Sequence, residues 1–286
     1  MIDESQTDGP APAAKTVIGV DIGGSGVKAA VVDTDRGELA SERQRIDTPH
    51  PATPDAVAEV VKELVTTLGP AERVGITIPA VVRSGVVRSA ANIDESWIGT
   101  DARLLFADVL GIDCTVLNDA DAAGVAEMRF GAGVGRDGVV ILVTLGTGIG
   151  SAVFTDGVLV PNTELGHLEF RGGVAEKYAA SSVRENEDLS WHHWGHRVGH
   201  YLSMLDGLFS PELFIVGGGV SKKFSKYEGY IRDKMDTETE IVPAQSLNQA
   251  GIVGAALIAV QSPSNSQPSG PTGQSPAAAE RRGDPT

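Results

Sequence analysis

A two-lobed α/β fold with a ligand cleft between the lobes is the architecture this sequence predicts, on three observations. Asp21-Ile22-Gly23-Gly24-Ser25-Gly26 and Thr144-Leu145-Gly146-Thr147-Gly148-Ile149-Gly150 each follow an apolar run and lead into a β-branched one, so each reads as strand, glycine turn, strand. The order β-β-β-α-β-α-β runs from Thr16 to Leu117, and a similar series starts again at Ala120. The string Asn118-Asp119-Ala120-Asp121 stands at the junction.

Taken in order, Thr16–Val20, Val27–Asp33 and Glu42–Asp47 read as antiparallel strands joined by glycine-containing turns. Pro54–Leu68 places Val57, Val60, Val61, Leu64, Val65 and Leu68 on one helical face, with Thr53 as the N-cap. Val74–Ile78 reads as a strand, a loop runs to Trp97, Asp101–Leu110 reads as a helix and Thr115–Leu117 as a buried strand. The second series has a helix over Ala120–Phe130, strands over Val139–Thr144 and Ser151–Phe154 around the second glycine turn, and a third over Val158–Val160. A helix over Leu189–Leu208, the strand Leu213–Val216 and the run Gly217-Gly218-Gly219 follow. The last helix, Asn248–Val260, carries Gly251 and Gly254 one turn apart, a spacing suited to close packing on a neighbour. The expected division is a small N-terminal lobe over 16–118 and a larger C-terminal lobe over 119–260, with the helix at 248–260 able to pack back on the first. Residues 1–15 and 261–286 are rich in Pro, Ser, Ala, Gly and charge and are expected to be disordered tails.

Composition narrows the function classes. Hydrophobic residues make up 41% of the 286, enough to fill a core, yet no apolar run approaches the ~18 residues of a membrane span. Met1-Ile2-Asp3-Glu4 lacks the basic start of a signal peptide, so a cytoplasmic protein with no membrane partner is expected. The single Cys114, inside a buried strand, rules out an internal disulfide and any multi-cysteine zinc site. A net charge of −15 repels nucleic acid, and an anionic substrate would need a local basic patch.

The candidate chemistry is phosphoryl transfer. Glycines leave no Cβ over a turn, so backbone N–H groups can converge on phosphate oxygens. Gly23, Gly24 and Ser25 in the first turn, Lys28 on the strand after it, and Thr144, Gly146, Thr147 and Gly148 in the second are the candidate phosphate-binding residues. Asp21, leading the first turn, stands where a phosphate-bound magnesium ion would be held through water. A kinase acting on an alcohol also needs a carboxylate that orients the hydroxyl and accepts its proton. Asp119, after a strand and before a helix where the lobes would meet, suits that role; the same string would also make a good N-cap. Glu164 and His167, with Gly166 between them, offer acceptors and a donor to sugar hydroxyls.

The ordered series Asp21–Ser25, Asn118–Asp121, Thr144–Gly150, Glu164-Leu165-Gly166-His167 and Ile215-Val216-Gly217-Gly218-Gly219 resembles the ROK family of sugar kinases, on the actin-like ATPase (ribonuclease H-like) fold, over about residues 16 to 260. The longer strings 159–169 and 209–224 are similar to the polyphosphate glucokinases of actinobacteria, a branch of that family. The resemblance implies that Asn92, Asn118, Asp119, Glu164, His167 and Glu176 bind the sugar, with Asp119 as base, and that Gly217, Gly218 and Gly219 contact adenosine. It implies glucose phosphorylated at the 6-hydroxyl, polyphosphate or ATP as donor, Mg2+ as cofactor, and a homodimer. Lys222, Lys223 and Lys226 follow the glycine run on an otherwise acidic chain and would suit a long polyanion. A strictly ATP-dependent hexose kinase is the competing enzyme. A sugar-sensing regulator would carry an N-terminal helix-turn-helix domain, and only a short Pro/Ala-rich stretch precedes Thr16.

Two departures from the family pattern matter. Most members hold zinc with a His and three Cys just before the last glutamate; here Glu169-Phe170-Arg171-Gly172-Gly173-Val174 has no Cys, so no zinc site of that kind can form. Pro79-Ala80 stands where the family often has Pro-Gly. Two other features are set aside. Gly131-Ala132-Gly133-Val134-Gly135 ends a helix and precedes a strand, the reverse of a dinucleotide loop, and reads as a C-cap and turn. His192, His196 and His200 share a helix face beside Trp191 and Trp194, which suits a packed or interfacial helix.

Overall fold

Residues 15–90, 93–246 and 249–261 are described by a computed structural model. The first series is β1 (Thr16–Ile22), β2 (Val27–Asp33), β3 (Glu38–Leu39), β4 (Gln44–Ile46), α1 (Pro54–Leu68), β5 (Arg73–Ile78), β6 (Val82–Arg83), β7 (Val86–Val87), α2 (Ala102–Leu110) and β8 (Asp113–Asn118). Then come α3 (Asp119–Phe130), β9 (Val139–Leu145), β10 (Ile149–Thr155), β11 (Val158–Val160), β12 (Glu169–Phe170), β13 (Gly173–Val174), α4 (Glu176–Ala179), α5 (Ser181–Asn186), α6 (Trp191–Phe209), β14 (Leu213–Gly217), α7 (Glu228–Arg232), β15 (Glu240–Pro243) and α8 (Ala250–Gln261).

The two large sheets have the same strand order. One runs β3-β2-β1-β5-β8 and the other β11-β10-β9-β14-β15, with the second strand antiparallel to the first and the fourth and fifth parallel to it. The predicted repeat is thus present, with two strands that periodicity alone did not separate. β3 pairs with β2 beside β4, so the strand expected over Glu42–Asp47 is shorter and has a companion. β15 completes the second sheet, and its Pro243 lies at the sheet edge, where a missing N–H is tolerated.

Local chemistry fixes the ends of the helices. Thr53 accepts from the Ala56 N–H ahead of Pro54, and Gly69 with positive φ stops α1. Asp101, expected inside α2, is instead its N-cap, with Oδ1 2.9 Å from the Leu104 nitrogen. Ser190 caps α6. The loop to Trp97 contains the β6–β7 hairpin and a short turn of 3-10 helix over Glu95–Trp97. Trp97 is buried there, its indole N–H donating to Ala52 O at 2.8 Å.

The helix that follows the last strand of each large sheet crosses to the other sheet. α3 packs on β10, whereas α8 lies on β1 and β5 and against α3. The strands take α8 so closely because Gly19 and Gly75 have no Cβ, which would collide with the carbonyls of Ile252 and Ala255. Gly254 does the same for the helix pair, since a Cβ there would strike Ala122 O. The sequence spacing of Gly251 and Gly254 foretold this contact, although Asn248 lies outside the described residues. The core between the sheets joins Val17, Ala30, Ala126, Leu142, Phe154, Ile252 and Ala256.

The glycine run after α3 is a C-cap, with the Gly131 and Gly133 N–H groups on Glu127 O. It also cradles the fully buried Glu127 carboxylate, which accepts from Ala132, Gln245 and Ser246 N–H groups. On α6, the His192 and His196 rings meet at a tilt and both pack edgewise on Tyr230. Burial pushes the Cys114 thiol up to about 12, as expected of a core cysteine.

Candidate active site

β1 and β2 oppose Asp21 to Lys28, so the carboxylate and ammonium share one face of the first glycine turn. Lys28 Nζ lies 3.2 Å from Asp21 Oδ2, and Thr77 on the neighbouring β5 donates to Oδ1 at 3.0 Å. The turn is closed by Gly23 N–H donating to Gly26 O and held from outside by Thr48, which donates to Gly23 O, and Arg45, which donates to Ser25 O. The second turn is closed by Gly146 N–H on Gly148 O and buttressed by Ser182, which donates to the carbonyls of Gly146 and Thr147.

Between the turns lies a cleft of about 460 Å3, lined by Gly23, Gly24, Ala80, Asn118, Asp119, Thr144, Gly146, Thr147, Gly148, Glu164, His167, Glu176 and Gly218. Asn118 is the N-cap of α3, with Oδ1 accepting from Ala120 and Asp121 N–H and Nδ2 donating to Ala80 O at 3.2 Å. This frees Asp119 to face the cleft from the first turn of the helix. Its carboxyl is pushed up to about 6, first by burial, then by the negative charges of Asp21 and Glu164 against the helping Ala120 N–H.

The loop carrying Glu164 and His167 is a turn of 3-10 helix over Leu165–His167 and is pinned by the buried Ser151, which donates to Thr163 O and accepts from Leu165 N–H. The imidazole sits between two carboxylates, with Nδ1 3.6 Å from Glu164 Oε2 and Nε2 4.0 Å from Glu176 Oε2. Burial holds Glu164 above the usual carboxylate range. Glu176, at the start of α4, reaches back to the second turn, where a Cβ on Gly148 would meet its carboxylate.

A second cavity, about 280 Å3, shares Gly146 and Thr147 with the cleft and is lined by Arg184, Trp191, Gly219 and Lys223. The Arg184 guanidinium lies 3.8 Å from the Trp191 ring centre, and Lys223 and Lys226 Nζ lie 5.9 and 6.0 Å from it. Gly217 and Lys222 line a smaller cavity of about 120 Å3 with Gly218 and Gly219. Of the sequence-predicted residues, Asn92 lies outside the described residues. Asp21, Ser25 and Lys28 do not line the cleft or these cavities, although the Asp21 charge acts on Asp119. Lys226 reaches the Trp191 ring without lining a cavity, and the remainder border the cleft or these cavities. Thr77, Asp121, Asn162, Arg184 and Trp191 were not anticipated. Asp121 stood in a string already singled out, whereas Arg184 and Trp191 share no spacing that would connect them.

Two backbone turns converging on one cleft beside a raised carboxylate define a phosphotransferase of the actin-like ATPase class. The chain belongs to the ROK family, whose model matches residues 17–174. It is 49% identical over 243 residues to the polyphosphate glucokinase of Mycobacterium tuberculosis, covering 85% of this chain and 90% of that protein. With the Mycobacterium leprae polyphosphate glucokinase it shares 46% over 261 residues, 89% of this chain and 79% of the other. Among solved structures it is similar to the inorganic polyphosphate/ATP-glucomannokinase of Arthrobacter sp. strain KM, with TM-score 0.80, 49% identity, and coverage of 86% of this chain and 98% of that one. A ROK family glucokinase from Streptomyces griseus, solved with glucose and AMPPNP, gives TM-score 0.75 at 28% identity, covering 87% and 100%. Among the described residues no helix is long and apolar enough to cross a membrane.

Proposed function

We propose that this chain phosphorylates glucose at the 6-hydroxyl, taking the phosphoryl group from inorganic polyphosphate and also from ATP. The observation that carries the reading is that one cleft holds both glycine turns, Asp119 and the Glu164–His167–Glu176 cluster. In this reading Asn118, Glu164, His167 and Glu176, with Asn92, hold the sugar hydroxyls, and Asp119 orients the 6-hydroxyl. As the 6-oxygen bonds to the terminal phosphorus of the donor, its proton passes to the Asp119 carboxylate. The leaving group is polyphosphate one unit shorter, or ADP. A carboxylate lifted to about 6 is mostly ionised at neutral pH yet basic enough to take that proton. Backbone N–H groups of the two turns, fixed by Thr48, Arg45 and Ser182, stabilise the phosphate oxygens without reorganising.

Asp21 offers hard oxygen already oriented by Lys28 and Thr77, which fits a hydrated magnesium ion shared with substrate phosphates. Magnesium bound there would neutralise charge on the transferring phosphate. Among the described residues no cluster of His, Cys, Asp or Glu is arranged to hold an ion by itself, as suits a metal carried largely by the substrate. The 49% identity to polyphosphate glucokinases supports the donor, and so does the grouping of Arg184, Lys223 and Lys226 around Trp191 next to the second turn. The rest of the reading is a cytoplasmic homodimer with lobes over 16–118 and 119–260. Glucose 6-phosphate formation, measured with each donor separately, tests it: product with polyphosphate alone is expected. Product with ATP only would make the chain a strictly ATP-dependent kinase.

A further inference from the structure

The first turn of α3 is the hub of a closed hydrogen-bonded ring in which Asp121 and Asn162 have no role above. Asn118 Nδ2 donates to Ala80 O. Two residues on, Val82 presents both its backbone groups to Asn162: Val82 N–H donates to Oδ1 at 2.8 Å and Nδ2 donates to Val82 O at 2.9 Å, as a paired strand would. The Asn162 N–H in turn donates to Asp121 Oδ2 at 2.8 Å, which returns the ring to α3. Asn162 has φ of 60°, a left-handed conformation that asparagine tolerates better than most residues. Asp121 is 2% exposed, and its Oδ1 is buried without a partner.

We propose that Asp121 and Asn162 are positioning residues for the sugar, closing the ring around the base so that Glu164 and the segment after β5 face the acceptor hydroxyls in one fixed geometry. This rests on the glucose-kinase reading. Asn162 lies two residues before Glu164, and the Val82 segment leads to Ser89 on the cleft wall. The donor turn at Gly146–Gly148 is buttressed separately by Ser182. Loss of the ring therefore loosens the sugar site and leaves the donor site intact. Burial, opposed by the Asn162 N–H and then reinforced by Glu164 and Asp119, pushes the Asp121 carboxyl up to about 7, so a neutral side chain that keeps one acceptor can replace it.

The test uses the full chain. Asn162→Gly keeps the left-handed backbone and removes only the amide. It is expected to raise glucose KM, and the calorimetric glucose Kd without donor, by roughly tenfold, with the donor KM changed by less than about twofold. Asp121→Asn, which still accepts from Asn162, should stay within about threefold of wild type for glucose, whereas Asp121→Leu should match or exceed the loss in Asn162→Gly. An unchanged glucose Kd in folded Asn162→Gly overturns the proposal, as does a donor KM that rises in step with the sugar KM. So does an Asp121→Asn variant no better than Asp121→Leu. If Asp121→Leu does not fold, the comparison of Asn162→Gly with wild type still decides. A wild-type chain that neither binds nor phosphorylates glucose would mark failure of the underlying reading instead.

Discussion

Replacing Asp119 with Asn separates what this carboxylate does for chemistry from what it costs the fold. The amide keeps the size and an acceptor for the Ala120 N–H but cannot take a proton. Turnover should fall by about 10²- to 10⁴-fold, with glucose affinity reduced much less. The native carboxyl is raised from 3.8 to about 6, so in the folded protein its charging is disfavoured. The stability it contributes as a neutral acid is present below the unfolded pKa and lost as pH rises from about 4 through 6. At about 1.4 kcal/mol per unit, the charged group costs up to ~3 kcal/mol above pH 7. The amide must still be desolvated, so Asp119→Asn should gain about 1–2 kcal/mol at pH 8 and almost nothing near pH 4. Urea unfolding of the ligand-free protein at both pH values reads this, alongside a coupled glucose 6-phosphate assay. In wild type, kcat/KM should decline on the acid side with a midpoint near 6. Near wild-type turnover in folded Asp119→Asn would refute the assignment, and an equal stability change at the two pH values would refute the cause given for the raised pKa.

Lys222, Lys223 and Lys226 changed together to Ala should lower kcat/KM for polyphosphate far more than for ATP, and added salt should impair the wild-type reaction with polyphosphate more than that with ATP, because exposed charge is screened over about 10 Å at 0.1 M; equal losses for both donors would assign the lysines to solvation. Chelator-treated protein should regain full activity with magnesium alone and contain no stoichiometric zinc, since the stretch 169–174 has no cysteine; metal analysis finding about one tightly held zinc per chain would contradict this. Gly254→Val should destabilise the fold by about 3 kcal/mol or more by driving α8 off Ala122, a loss that thermal or urea unfolding would reveal.

The sequence made the repeat and the glycine turns legible because both are local. A strand ending in Gly-Gly or Gly-Thr-Gly announces itself by residue type, and α1 and α6 by periodicity and cap. β3 and β15 are too short for a period to show, and they exist because β2 and β14 offer open edges to them. In Asn118-Asp119-Ala120-Asp121 the cap and the cleft-facing carboxylate are different residues: Asn118 caps, Asp119 faces the cleft and Asp121 anchors a distant loop. No reading of one string could find that loop, since Asn162 and Val82 meet across 80 residues of chain. Arg184 and Trp191 became visible only when α5 and α6 brought them onto the cavity beside the second turn.

Phosphoryl transfer from polyphosphate to glucose is decided by incubating the purified chain with glucose, inorganic polyphosphate and magnesium, free of nucleotide, and following glucose 6-phosphate by phosphorus NMR. The predicted result is a glucose 6-phosphate signal that grows as the polyphosphate chain shortens, and that Asp119→Asn reduces at least a hundredfold. A folded wild-type protein that forms no glucose 6-phosphate from polyphosphate would contradict it.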